Sequence, residues 1–296
     1  MTESPIPHFD LLNIFDYMNM SVQFSRGCPF QCEFCDINLL NGRKLRTKPT
    51  KQFIAELQFL YDLGWREPVF IVDDNFVVKR DSVKHLLEEL KEWMISHKYP
   101  FSLSTQASID MAQDEELIDL MVSCNFGTVF LGIETPDKES LVMAGKHQNT
   151  RQSLQEAVNR IQSSGIRVIG SFIIGFDNEK TGDDKRIVDF VQKTSISTIQ
   201  ISMLQAIPQT ALWNRLQKEG RIKNNIANIH QSTLPNFIPT RPIQEIASES
   251  MNVFSEIYDP LNHLERLYQL YLIFSKVNFP EKERPKNKIK IGLYQI

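Results

Sequence analysis

Three cysteines stand close together in the run Ser25-Arg26-Gly27-Cys28-Pro29-Phe30-Gln31-Cys32-Glu33-Phe34-Cys35-Asp36. Their spacing is C-x3-C-x2-C, on a loop that Gly27 opens just after a short apolar strand. Thiolates ligate soft metals and iron–sulfur clusters. Three protein ligands on a 4Fe-4S cluster leave one iron open, and an open position can take a substrate or cofactor, as at a catalytic zinc.

Other uses of the same thiols are weaker. Three cysteines cannot pair off among themselves, and only Cys124 is left elsewhere. Met1 to Asp10 has no apolar core of a secretory leader, so a disulfide framework is disfavoured. Zinc needs a fourth ligand; His8 is too far upstream, and Asp36 would be an unusual completion. An electron-transfer ferredoxin normally shows four cysteines per cluster. Cys124 ends an apolar helix and reads as a small buried hydrophobe.

The chain has 296 residues, 42% hydrophobic and 23% charged, which suits one large domain plus an appendage. A net charge of -3 gives no bulk attraction to nucleic acid. No apolar run reaches the roughly 20 residues of a membrane span. Four cysteines without an export signal point to a reducing cytoplasm.

The elements that must position the thiols alternate between strand and helix. Strands are expected at Met20 to Ser25, Pro68 to Val72, Phe101 to Thr105, Thr128 to Ile133, Arg167 to Ile174 and Thr198 to Leu204. Between them, helical periodicity runs from Thr50 to Leu63, Asp81 to His97, Asp114 to Cys124 and Asp183 to Lys193. Thr150 is expected to cap a further helix that Gly165 stops. Near-continuous apolar strands between amphipathic helices indicate α/β architecture with a parallel sheet. Six such units are too few for a full eight-fold barrel. A partial (β/α)6 TIM-like barrel fits, with its chemistry at the carboxyl ends of the strands.

The expected organisation is a linker-like segment over 1–19, a core domain over 20–220 and a mainly helical, truncated C-terminal region over 221–296. Within the last, Asn224 to Ser232 reads as a polar loop, two helices are expected at Ile246 to Tyr258 and Pro260 to Val277, and Pro280 to Lys290 as a basic tail.

Polar groups gather at the strand ends. Asp73 and Asp74 end the second strand, Gln106 follows the third, Glu134 ends the fourth and Gly175 ends the fifth. Such groups either hold a ligand or cap the next helix. Function is favoured for Glu134 and for one of the two aspartates; Gln106 is even. His147 lies in a polar loop and reads as exposed. His85 and His97 read as structural or solvated, and Arg26 as a charge partner of the cysteine loop or of a carboxylate.

Taken with Val72-Asp73-Asp74-Asn75-Phe76, Gly132-Ile133-Glu134-Thr135-Pro136, Gln148-Asn149-Thr150, Gly175-Phe176-Asp177 and Leu204-Gln205-Ala206-Ile207-Pro208, the cysteine run resembles the cobalamin-dependent radical S-adenosylmethionine (SAM) family with a C-terminal helical domain. Hopanoid-methylating enzymes belong to that wider group. The resemblance is close from about Ser4 to Arg221. It implies that Cys28, Cys32 and Cys35 ligate a 4Fe-4S cluster whose open iron chelates SAM, and that Phe34 flanks the adenine. It puts Asp73-Asp74 where the family's Gly-Gly-Glu motif meets the SAM amino group. Glu134 takes the ribose position, and Ser171 to Glu179 approximates the adenine motif, with Ile173 and Gly175 matching.

The resemblance also implies a transferase: reductive cleavage of SAM, then methylation of an unactivated carbon. A reductant protein of flavodoxin or ferredoxin type and a small-molecule or lipid substrate follow from it. Such proteins usually begin with a cobalamin-binding domain. Here nineteen residues precede the first strand, whereas a domain needs at least ~50. Cobalamin is therefore expected only from a partner chain. A cluster-binding remnant or partner subunit without its own turnover is the alternative.

Overall fold

The structure is a computed structural model and describes residues 1, 3–223 and 233–277. Its strands are β1 (Met20–Val22), β2 (Ser25–Arg26), β3 (Arg46–Thr47), β4 (Val69–Ile71), β5 (Leu103–Ala107), β6 (Phe126–Glu134), β7 (Arg167–Ile174) and β8 (Thr198–Met203). Its helices are α1 (Ile37–Leu40), α2 (Thr50–Asp62), α3 (Arg80–Ser96), α4 (Glu115–Ser123), α5 (Lys138–Met143), α6 (Leu154–Ser163), α7 (Asp184–Thr194), α8 (Ala211–Lys218), α9 (Ile243–Ile257) and α10 (Pro260–Phe274).

Six strands form one parallel sheet in the order β1-β4-β5-β6-β7-β8, with every neighbour pair consecutive around the sheet. β1 and β8 are its two edges, so the barrel is partial, as the six β/α units predict. The register sets Val22 beside Ile71, Ile71 beside Thr105 and Thr105 beside Val129. All carboxyl ends therefore open on the same side.

The helices form where the apolar spacing puts one face inward. Val83, Leu86, Leu87, Leu90 and Met94 of α3 are all essentially fully buried against the sheet. Leu117, Ile118 and Met121 do the same for α4. The first expected strand is split: Gln23 and Phe24 break it, and Ser25–Arg26 turns away to pair antiparallel with β3. Thr150 ends a short 3-10 turn instead of capping α6; Ser153 is the cap, its side chain accepting from the amide of Glu156.

Packing does not break at residue 220. Ile246, Val253 and Ile257 of α9 belong to the same core as the sheet. Arg266 of α10 is buried, and its guanidinium donates to the carbonyls of Ile196 and Ile257. A smaller core of Ile173, Phe176, Leu204, Leu212, Leu216 and Phe237 sits at the carboxyl end of the sheet, with Phe34 packed against it. The expected Asn224 to Ser232 loop and Pro280 to Lys290 tail lie outside the described residues. Among the described residues no helix is long and apolar enough to cross a membrane.

Candidate active site: a thiol-lined cleft at the strand ends

Cys28, Cys32 and Cys35 face one cleft of about 200 Å³ at the carboxyl end of the sheet. Phe34, Asp74, Gln106, Glu134, Lys146 and Gln148 line it with them. The thiols share the cleft, yet among the described residues no three metal-binding side chains converge on a single ion position. Three thiols on one cleft suit a polynuclear cluster, in which each sulfur binds a different iron. Burial pushes the Cys35 thiol up to about 11 and raises Cys28, with the neighbouring thiols adding to it. Without a metal that burial keeps the groups as neutral thiols; three soft sulfur donors on one cleft are the donor set that an iron–sulfur cluster takes.

The loop is shaped by backbone. Gly27 has φ +100, and a Cβ there would stand 2.8 Å from the carbonyl oxygen of Lys44, so only glycine fits the start of the loop. Asp74 accepts from the amide of Gly27 at 2.7 Å and from Asn41. Asp73 is turned the other way and buried, accepting from the amides of Phe24 and Ser25 and from the Ser25 hydroxyl. Successive strand residues point to opposite faces, so only one of the two aspartates can reach the cleft. Asp74 is that one; Asp73 buttresses the chain leading into the loop.

Glu134 ends β6 at φ +66, beside an irregularity in the β6–β7 register. A non-glycine residue in the left-handed region is held by its surroundings and turns its side chain off the strand line. Its carboxylate pairs with Lys146 at the base of the cleft. Gln106 is exposed and extends into the same cleft from β5.

Ile173 and Gly175 do not reach the cleft. Ile173 is buried in the small core that Phe34 packs against; it lies on the same face of β7 as Ser171, which lines the cleft, one strand period further on. Gly175 has φ +105, and its amide donates to Glu179 at 2.6 Å, closing the turn after β7. Phe34 itself meets Phe176 edge-on, with ring centres 6.1 Å apart. The Phe34 side of the cleft therefore stands on this second core.

Lys146 and Arg215 have no role in the sequence reading, and Gln148 enters it only within the Gln148-Asn149-Thr150 run. Lys146 and Gln148 flank His147, which is exposed as expected, but they point inward. Arg215 of α8 donates to both carboxylate oxygens of Glu33, at 2.9 and 3.2 Å, and to Asp177 at 2.7 Å. Arg26 donates from Nε to the side-chain carbonyl of Gln23 at 2.7 Å. Cys124 is buried and its thiol donates to the carbonyl of Leu87, with burial holding its pKa at about 12.

The model of the radical SAM superfamily matches residues 22–191, and a domain of unknown function (DUF4070) matches 210–294. An uncharacterized methyltransferase of Synechocystis sp. is 55% identical over 273 residues, 92% of this chain and 51% of that protein. The hopanoid C-2 methylase of Rhodopseudomonas palustris is 34% identical over 299 residues, 100% of this chain and 56% of that protein. The chain thus spans about half the length of these relatives. In fold it is similar to the radical SAM methyltransferase TsrM of Kitasatospora setae with cobalamin and a 4Fe-4S cluster bound. That match has TM-score 0.68 at 15% identity, over 90% of this chain and 54% of that one.

Proposed function

The chain belongs to the radical SAM superfamily, and from that premise we propose that it binds a 4Fe-4S cluster on Cys28, Cys32 and Cys35 and SAM in the cleft beside them. The observation that carries the reading is that the three thiols share one cleft with Phe34, Asp74, Gln106 and Glu134. When bound, cluster and SAM supply the electron and the 5′-deoxyadenosyl group that start radical chemistry.

The chain's own residues bind and orient. The Glu134 carboxylate accepts from the ribose hydroxyls, and Phe34, braced by Phe176, gives the adenine an apolar wall. Asp74 and Gln106 offer polar contacts on the opposite side, Asp74 serving the amino group. Ile173 and Gly175 act from behind, by shaping the wall that carries Phe34. The outcome favoured by the relatives named as methyltransferases is transfer of a methyl group to an unactivated carbon of a small-molecule or lipid substrate. Cobalamin, in this reading, is supplied by a separate chain or segment, and the electron by a flavodoxin- or ferredoxin-type protein.

Anaerobic reconstitution tests the core of the reading. The protein should take up one 4Fe-4S cluster and, with dithionite and SAM, release 5′-deoxyadenosine. The Cys28→Ala/Cys32→Ala/Cys35→Ala variant should lose the visible absorbance and the reduced-state paramagnetic signal, while Cys124→Ala keeps both. A full cluster in the triple variant would sink the assignment.

A further inference from the structure

Two side chains at the back of the cleft take no part in the reading above. Gln148 is 3% exposed, and its amide Nε2 donates to Sγ of Cys32 at 3.6 Å. Lys146 is 9% exposed, pairs with Glu134, and holds its Nζ 5.9 Å from the centre of the Phe34 ring. Burial works against its charge, but Glu134 and the thiols of Cys32 and Cys35 outweigh that and leave its pKa above the ordinary lysine value.

The segment carrying both is fixed to the cysteine loop. The amide of Glu33 donates to the carbonyl of Ala144 at 2.9 Å. Gly145, at φ +69, lies so close beneath the loop that a Cβ would stand 2.7 Å from the carbonyl oxygen of Gln31. Space for the ion pair is also built in: a Cβ on Gly132 would stand 2.5 Å from Oε1 of Glu134 and 2.6 Å from Nζ of Lys146. Two glycines therefore exist where side chains would displace the segment or the ammonium. Each buried group is kept by its partner, the ammonium by Glu134 and the amide by the Cys32 sulfur, without which its burial would be costly.

We propose that Gln148 and Lys146 are positioning residues that set the electron affinity of the cluster held on Cys32. The inference rests on the cluster reading above. An N–H donor on a ligating sulfur and a nearby positive charge both favour the more negative, reduced state. One electron comes from an external low-potential reductant, and no proton need move. The two residues act through Cys32 and through the field at the loop, so their removal should make the site harder to reduce without removing a ligand.

The test is a potentiometric titration of reconstituted protein without SAM, read by the reduced-state paramagnetic signal. Wild type is compared with Gln148→Leu, Lys146→Met, Lys146→Arg and His147→Ala. At the potential where wild type is half reduced, Gln148→Leu and Lys146→Met should each lower the ratio of reduced to oxidised protein about tenfold, ~59 mV for a one-electron couple. Lys146→Arg keeps the charge and should stay near wild type, and His147→Ala, on the exposed side, should overlay it. If Gln148→Leu or Lys146→Met fails to take up iron, Gln148→Glu and Lys146→Gln replace them with the same expected direction. Superimposed curves for iron-loaded variants and wild type overturn this inference alone. A wild-type protein that takes up no cluster overturns the cluster assignment on which it rests.

Discussion

The cysteine loop is held from two sides by opposite chemistry. On the β4 side, carboxylates accept: Asp73 takes the amides of Phe24 and Ser25, and Asp74 takes that of Gly27. On the far side, donors reach in: Gln148 to Cys32, and Arg215 to Glu33, with the Lys146 ammonium close by. The first side satisfies backbone and so sets the path of the chain. The second supplies positive charge and N–H groups beside the three thiols. Shape and charge are thus assigned to different elements, and each can be disturbed separately.

The largest effect should come from the shape side. Asp73→Ala strips the acceptors from two buried amides and a hydroxyl. Each buried group left unsatisfied costs about 1–3 kcal/mol, so a loss of roughly 3–5 kcal/mol is expected in urea unfolding of the cluster-free protein. An unfolding midpoint equal to wild type would mean that Asp73 does not set the path of the chain.

Next is a pH effect behind the Phe34 wall. Burial pushes Glu179 up to about 7 from its ordinary 4.5, with Asp183 and Glu249 adding to it against the pull of the Gly175 amide and Arg241. The folded state therefore holds a proton that the unfolded chain has already released between those values. Stability from this group is present below about 4.5 and is lost as pH rises through about 7. Glu179→Gln should gain on wild type across that window by up to about 3 kcal/mol. Urea midpoints at pH 5 and pH 8 that move in parallel for both proteins would remove Glu179 as the titrating group.

A smaller effect separates ligand binding from cluster support. Glu134→Gln keeps the shape but removes the charge, and a charge-assisted hydrogen bond is worth about 1.5–3 kcal/mol. SAM affinity by calorimetry should weaken on that scale while cluster content stays constant. Unchanged affinity would leave Glu134 as a partner of Lys146 and nothing more.

The smallest effect belongs to Arg215, whose side chain is about a third exposed. Arg215→Ala releases Glu33 and Asp177, and solvent screening limits the stability cost to about 1 kcal/mol. Loss of the whole cluster in this variant would show that the donor side also fixes the path of the chain, which would dissolve the distinction drawn above.

Much of the frame is legible in the sequence because it rests on local patterns. Apolar periodicity places the helices, β-branched runs place the strands, and spacing alone singles out the three cysteines. What the sequence leaves open depends on distant contact. Asp73 and Asp74 are adjacent and chemically identical, so choosing between them requires the direction in which β4 ends. Ile173 and Gly175 match a pattern whose residues pack into the second core and the turn after β7. Lys146 and Gln148 stand in a polar run, and the sequence does not show that Gln148 meets a cysteine 116 positions earlier. Gly145 is the one local hint, since a glycine between a helix and a polar run often marks a close approach of backbone.

The contact between Glu33 and Arg215 joins residues 182 positions apart. A ribosome completes the thiol loop long before it makes the arginine that secures it. While residue 215 is still unmade, the aspartates after β4 and then the Ala144 to Gln148 segment are available to hold the loop, and only the Glu33 carboxylate lacks its partner. Chain synthesis thus separates two moments: one when the thiol loop is complete, and a later one when α8 brings Arg215 to its neighbour Glu33. The late step adds little entropic cost despite the distance, because loop-closure entropy grows only with the logarithm of length.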